Sequence, residues 1–281
     1  MKILNLTTLT AIALAGAVFS SCTKANRSDD FPAGDTPPTA GGFTNSSEIA
    51  PSNLIAYWGF NGDLKESVSG TTGTNKGMTF SAGLKGQAIT GNPDPAAKAY
   101  ATSPLTPAIA GLKKYTVSVW TNSALNTGAT GIFSIGETTG FWANINIFFE
   151  NGGSATTAIF KTIFLDNGAT YDNATQSVAN GFGNWTHYVI TYDGAGNFKS
   201  YVNGSLARAR TIPATDIRFT NVGPVIFGTL HFMTVPSSTT GSTDQPWAGY
   251  IPGKIDEVRI YNRALTDIEV SALSILERRG N

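Results

Sequence analysis

The chain has 281 residues, with 19 Lys+Arg set against 19 Asp+Glu and only 14% of residues charged, a balance that argues against nucleic acid as the main partner, since phosphate recognition leaves a basic surplus or stripe. Hydrophobic residues are 41% of the chain, enough to bury a core, and 31 Gly with 13 Pro signal many turns. One Cys and two His exclude a disulfide framework, a Cys/His zinc cluster and any centre needing several histidines.

Met1 and Lys2 precede an apolar stretch from Leu9 to Phe19 that ends in Ser20-Ser21-Cys22. This is the anatomy of a secretory signal, and it is too short to remain as a membrane span. The small residues before the only cysteine resemble the lipobox of bacterial lipoproteins. That resemblance implies a signal peptide over 1–21 and Cys22 as the lipidated first residue of the mature chain; an ordinary secretory signal with an incidental Cys is the alternative. Residues 22–50 hold few aliphatic side chains and cannot offset the entropy of ordering, so they read as a flexible tether. Within it, Ser28-Asp29-Asp30-Phe31 resembles the acidic export signal of surface-exposed Gram-negative lipoproteins. The chain is thus expected to be an outer-membrane lipoprotein facing the cell surface or the periplasm, touching the membrane through its lipid alone.

From Leu54 onward, short runs of β-branched and aromatic residues alternate with Gly, Asn, Asp and Pro, which is the strand signal. At least nine strands are predicted: Leu54 to Phe60, Tyr115 to Trp120, Gly131 to Ile135, Asn144 to Phe149, Ala158 to Leu165, Trp185 to Tyr192, Phe198 to Val202, Val225 to Leu230 and Lys254 to Tyr261. Asp193 to Asn197 turns one strand back on the next, and Asn203-Gly204 is a two-residue hairpin signal because both residues tolerate positive φ. Consecutive strands are therefore antiparallel, and nothing of helical length separates them. The one predicted helix follows Thr266-Asp267-Ile268-Glu269, a capping box, with Ile268, Val270, Leu273 and Leu276 as its apolar stripe and Arg278 and Arg279 at its negative end. Residues 51–281 fit one two-sheet sandwich with long loops.

Three stretches carry a family resemblance: Leu54 to Asp63, Trp185 to Gly194 with Tyr201 to Gly204, and Gly253 to Leu265. In order and spacing they resemble the opening strand, central hairpin and closing strand of the laminin-G-like branch of the concanavalin A-like lectin/glucanase jelly rolls. The resemblance implies an all-β, two-sheet antiparallel jelly-roll sandwich with a short C-terminal helix. It leaves function open, because this fold carries lectins, hydrolases and adhesion modules.

A glucanase of this superfamily needs two carboxylates about 5 to 9 Å apart on one face, and residues two apart on a strand share a face. No such run exists. Asp256-Glu257 is expected to split across the sheet, and Glu137, Glu150 and Asp166 are scattered. Asp256 is expected to share its face with Val258 and Ile260, where a charge needs compensation. Either backbone N–H groups satisfy it, or it joins Asn61 and Asp63 in an oxygen-ligand Ca²⁺ site, an arrangement the family resemblance would bring together. His187 reads as a core histidine, and Trp58, Trp120 and Trp185 as core residues. Trp142, Trp247 and Tyr250 fall in or beside long loops, where flat rings stack on sugar C–H surfaces and Asn144, Asn146, Asp244 and Gln245 offer partners to hydroxyls; plugging the sandwich end is the alternative for these rings. Tyr171, with Asn151, Asp172 and Asn173, forms a further polar loop group. The resulting expectation is a membrane-anchored, non-catalytic glycan- or polysaccharide-binding domain. A module that binds an envelope protein and a hydrolase with dispersed acids are the competing readings.

Overall fold

The computed structural model describes residues 39–281 apart from residue 127 and residues 214–216. The predicted signal, Cys22 and the tether up to residue 38 lie outside the described residues. In chain order the strands are β1 (Leu54–Trp58), β2 (Thr74–Lys76), β3 (Thr79–Ala82), β4 (Gln87–Thr90) and β5 (Tyr100–Ser103). After a single helical turn, α1 (Pro107–Ala110), come β6 (Tyr115–Ser123), β7 (Ala129–Glu137), β8 (Ile145–Phe149), β9 (Thr157–Asp166) and β10 (Ala169–Ala179). The remainder are β11 (Thr186–Tyr192), β12 (Asn197–Val202), β13 (Ser205–Thr211), β14 (Val222–Phe227), β15 (Ala248–Gly249), β16 (Gly253–Tyr261) and the helix α2 (Asp267–Arg279).

Two eight-stranded sheets form a jelly-roll sandwich. Sheet I runs β13-β12-β11-β6-β16-β4-β3, with β1 also on β16; sheet II runs β10-β9-β8-β7-β14-β5-β2, with the short β15 parallel to β7. Both predicted hairpins are present. Asp193 accepts from the N–H groups of Ala195 (2.7 Å) and Asn197 (3.0 Å), and Asn203 and Gly204 both take positive φ where β12 turns into β13. The predicted first strand stops at Trp58 because Phe60 is left-handed (φ 46°). Trp185 lies just before β11 and is only half-buried, so it is not the core residue expected.

Between the sheets the core is aromatic. Trp58 and Phe60 meet Phe227 edge-on at 5.2 Å, and Phe164 stacks on Phe198 at 4.5 Å; such geometries add about 0.5–1.5 kcal/mol beyond area burial. Both sheets are also covered on their outer sides. This is why β7 and β8 are buried at every position instead of alternating.

Outside sheet I lies α2. Its capping box is formed, Glu269 N–H donating to Thr266 Oγ1 at 3.2 Å and Thr266 N–H to Glu269 Oε2 at 2.8 Å. Val270, Leu273 and Leu276 pack inward against Val189, Tyr201 and Tyr261, whereas Ile268, expected in that stripe, is 65% exposed. Residues 39–50, predicted as tether, are part of the domain. Ala40 and Ile49 are buried against the helix, and Ser46 Oγ donates to the Asn281 carbonyl at 2.8 Å. Too few aliphatic residues to form a core alone, this segment borrows the apolar face of α2.

Asp256 does not share a face with Val258 and Ile260. A bulge in β16, with Glu257 at φ 47°, offsets the register against β6 between Asp256 and Arg259 and reverses the alternation. Ile255, Val258 and Ile260 therefore enter the inter-sheet core, while Asp256 leaves it. The sequence pattern carries no mark of the extra residue.

Candidate functional site

The turn after β7 delivers Phe141 and Trp142 to the outer side of sheet II. Trp142 stacks on Phe148 of β8 (5.8 Å, 18°) and meets Trp247 at 6.1 Å; Phe232 lies edge-on to Trp247 at 5.6 Å. Phe141 contacts Trp142, Phe232 and Trp247 at 5.1, 5.3 and 6.4 Å and remains 39% exposed. Trp142 and Trp247 are half-buried. The two tryptophans named from sequence thus meet in one patch, joined by Phe141 and Phe232, which sequence reasoning did not select. Phe141 was adjacent to Trp142, but nothing local predicts that the loop bearing Phe232 folds onto it.

The turn carrying Phe141 is fixed at several points. Glu137 accepts from the Thr139 N–H (2.9 Å) and hydroxyl (2.8 Å) and from the Gly140 N–H. Thr239 Oγ1 donates to the Gly140 carbonyl at 2.7 Å, and Thr240 N–H to the Thr138 carbonyl at 2.8 Å. His231 Nε2 lies 3.3 Å from the same Gly140 carbonyl. Burial pushes His231 down to about 4, against the pull of that carbonyl and of Glu137, so the ring is neutral with its proton on Nε2.

Beside the patch is an open groove of ≈ 240 Å³ between this turn, the β9–β10 turn and the segment entering β14. Phe141 and Trp142 form its apolar wall; Thr139, Thr170 and Asn221 line the polar edge, where the Asn221 amide donates to Thr139 Oγ1 at 2.8 Å, so that the Thr170 hydroxyl and the Asn221 carbonyl oxygen are the groups left for a ligand. One flat apolar wall with a hydroxyl and an amide oxygen opposite is an arrangement suited to a sugar ring, whose C–H face is apolar and whose rim is polar.

The other predicted ligand residues do not join this site. Asn144 is buried and spent: its amide donates to the carbonyls of Gly136 (2.7 Å) and Thr220 (3.0 Å), and its oxygen accepts from Thr220 N–H. Asn146 is buried beneath the loops, donating to the Ala143 carbonyl at 2.9 Å, with its Oδ1 unpartnered. Tyr250 is a plug, buried, with its hydroxyl on the Met233 carbonyl at 2.6 Å. Asp244 pairs with Lys98 at 2.8 Å, and the Gln245 amide donates to Ser242 and Thr243. Tyr171 lies on β10 and stacks on Phe164 at 5.3 Å, toward the inter-sheet core; the stretch expected as a polar loop is a strand, interrupted by a bulge at Ala174 (φ 58°).

Of the candidate calcium ligands, Asp256 and Asn61 meet the 84–87 turn and Asp63 does not, and none is placed as a metal ligand. Asp256 Oδ2 accepts from the N–H groups of Leu84 (2.8 Å) and Lys85 (3.2 Å), and Oδ1 from Glu257 N–H (2.8 Å). Asn61 Oδ1 accepts from Gln87 N–H at 2.8 Å, and Asp63 from Lys65 N–H at 3.0 Å. Burial pushes Asp256 up to about 7, with Glu257 adding to it and these N–H groups opposing. Donor hydrogens already aimed at these oxygens would repel a cation, so the residues do not fit Ca²⁺ as arranged. Among the described residues no group of three His, Cys, Asp or Glu could hold a metal.

The scattered acids are each engaged separately. Glu150 pairs with Lys161 at 3.2 Å and Asp166 accepts from Arg218 N–H at 2.9 Å. The charged cluster of the molecule lies instead under α2, where Arg259 bridges Glu257 (2.8 Å) and Glu277 (2.6 Å), Tyr57 donates to Glu257 (2.6 Å), and Trp120 Nε1 donates to Glu277 (2.6 Å). His187 stacks on Trp120 at 4.6 Å and meets Ser118 Oγ at 2.7 Å, with burial holding it neutral at about 3.

Two covered antiparallel sheets in jelly-roll order, with a loop-built groove outside one of them, define a concanavalin A-like sandwich. Residues 95–271 match the Laminin_G_3 family, described as Concanavalin A-like lectin/glucanases superfamily, and the chain belongs to it. No curated protein sequence matches the chain. Among solved structures, it is similar to the binding domain of Paraclostridial Mosquitocidal Protein 1 (TM-score 0.59, 19% identity, 79% of this chain and 52% of that one). It is also similar to domain 4 of AbnA, a GH43 extracellular arabinanase from Geobacillus stearothermophilus in complex with arabinotriose (TM-score 0.54, 23% identity, 79% of this chain and 98% of that one). The botulinum neurotoxin serotype G binding domain is a third (TM-score 0.55, 17% identity, 80% of this chain and 51% of that one). The chain thus spans about half the length of the two toxin domains. At these identities the likeness is one of fold.

Proposed function

We propose that this protein is a non-catalytic carbohydrate-binding module, held at the cell envelope by a lipid on Cys22, and that it takes a neutral segment of a polysaccharide in the groove beside Phe141 and Trp142. The observation that carries this reading is the juxtaposition of those partly exposed rings with Thr139, Thr170 and Asn221 around an open groove of ≈ 240 Å³. Support also comes from the arabinotriose complex of the arabinanase domain and from the binding role named for the toxin domains. The lipid anchor rests on the Ser20-Ser21-Cys22 pattern; mass spectrometry of the membrane-extracted protein checks it by the acyl mass on Cys22.

The test is a glycan array followed by calorimetry on the hit. Trp142→Ala and Phe141→Ala are expected to weaken binding at least 10-fold each, since aromatic anchors in a binding patch commonly contribute about 2 kcal/mol or more. Circular dichroism monitors the fold. Folded variants that bind as tightly as the wild type would remove the groove from the reading. Capture of an envelope protein with no glycan hit would favour a protein-interaction module, and sugar release by the wild type would favour the hydrolase.

A further inference from the structure

The two sheets end at one side in β10 and β13, and between these edge strands lies a groove of ≈ 470 Å³, larger than the aromatic one. It is lined by Thr175 to Ala179 of β10, Val202 of β12, and Ala207 and Arg208 of β13. Arg208 pairs opposite Ser200 and Arg210 opposite Phe198; cross-strand partners share a face, and Ser200 and Phe198 are fully buried, so both arginines stand on the inter-sheet face of an edge strand. Arg210 donates to the Asp172 carbonyl of β10. Arg208 is exposed and has no hydrogen-bond or ion-pair partner among the described residues. No Asp or Glu lines the groove.

The interior behind it is polar where an aliphatic layer would be the ordinary solution. Gln176 links to the Tyr188 hydroxyl, which lies 3.1 Å from Thr162 Oγ1, and Asn173 donates to Ser200 at 3.3 Å. Asn173 Oδ1, fully buried, has no partner. Asn173 does not line the groove and its free oxygen can only accept, so the feature that selects a ligand is Arg208, whose guanidinium stands unneutralised at the groove and can take a carboxylate or sulfate bidentately. We propose that this groove is a second saccharide site, independent of the aromatic groove, that takes an anionic sugar, with Arg208 as the counter-charge to its carboxylate or sulfate. Inward-facing charge also protects an edge strand from pairing with another chain; that role alone would make Arg208 matter for aggregation and not for sugar binding.

Calorimetry on the full chain with polygalacturonate, dextran sulfate and uncharged dextran separates these. The wild type is expected to bind at least one of the anionic polymers and not dextran, more weakly as salt rises. Arg208→Ala is expected to weaken that binding at least 10-fold and Arg208→Glu to abolish it, with thermal melts unchanged because the side chain is exposed. Trp142→Ala is expected to leave it intact, which keeps this site distinguishable from the aromatic groove. Wild-type binding to neither anionic polymer, or binding undiminished in Arg208→Ala, overturns the proposal.

Discussion

His231 has its Nε2–H on the Gly140 carbonyl and its Nδ1 without a partner, so the folded protein holds it neutral down to about pH 4, below its ordinary value of 6.5. Unfolding lets it protonate. Between about pH 6.5 and 4 the unfolded state therefore binds more protons, and stability falls as pH falls, on the order of 2–3 kcal/mol from this residue by pH 4. Asp256, pushed up to about 7 by burial, acts in the opposite direction, so the histidine must be isolated by difference. Urea unfolding of the wild type and of His231→Gln is expected to show a gap that narrows on acidification from pH 7 to pH 4; a constant gap would refute the neutral buried assignment. The same residue-level geometry speaks to calcium. With the Asp256 oxygens committed to N–H groups of Leu84, Lys85 and Glu257, the melting temperature is expected to be equal in chelator and in millimolar Ca²⁺, and a rise of several degrees with Ca²⁺ would show that the 84–87 turn opens to admit it.

At the scale of elements, α2 is joined to sheet I by more than its apolar stripe. Arg259 holds both Glu257 and Glu277, its guanidinium lies 4.1 Å over the Tyr57 ring, and it reaches Ser46 of the N-terminal segment at 3.4 Å. Arg278, expected to complement the helix dipole, also covers Trp120 at 4.8 Å. One buried cation thus ties β16, β1, α2 and residues 39–50 together. Burial raises Glu277 toward protonation while Arg259 opposes it. Glu277→Ala strands the Trp120 N–H and half of the Arg259 pairing; losing one partner of a buried ion pair costs about 3–5 kcal/mol. Chemical denaturation at pH 7 is the measurement, and a loss below about 1 kcal/mol would mean that water replaces the carboxylate. Some elements escaped the sequence for an equally local reason. β10 reads as loop because its Tyr-Asp-Asn-Ala-Thr stretch is rich in turn formers, yet a bulge at Ala174 lets the ladder with β9 continue on both sides. β13 reads as nothing in particular because every residue from Ser205 to Ala209 is exposed, and it is a strand because the Asn203-Gly204 turn returns it to β12.

Across the whole molecule, β1 pairs with β16, so the first and last strands of the domain are neighbours in sheet I and the sandwich closes only when the chain is nearly complete. Alternation of apolar residues with turn signals determined the antiparallel strands, the two hairpins and the capped helix, because each depends on side chains a few residues apart. The paired tryptophans were legible as loop aromatics for the same reason. Which polar groups around them remained free was not legible: Asn144 is consumed by Gly136 and Thr220, and Tyr250 by Met233, through partners distant in sequence. Nor could sequence place Asp256, since one unpaired residue in β16 inverts a face without altering composition. Local chemistry wrote the elements into the chain, whereas long-range packing decided which donors, acceptors and rings remained available to a ligand, because an atom's free valence depends on every segment folded against it.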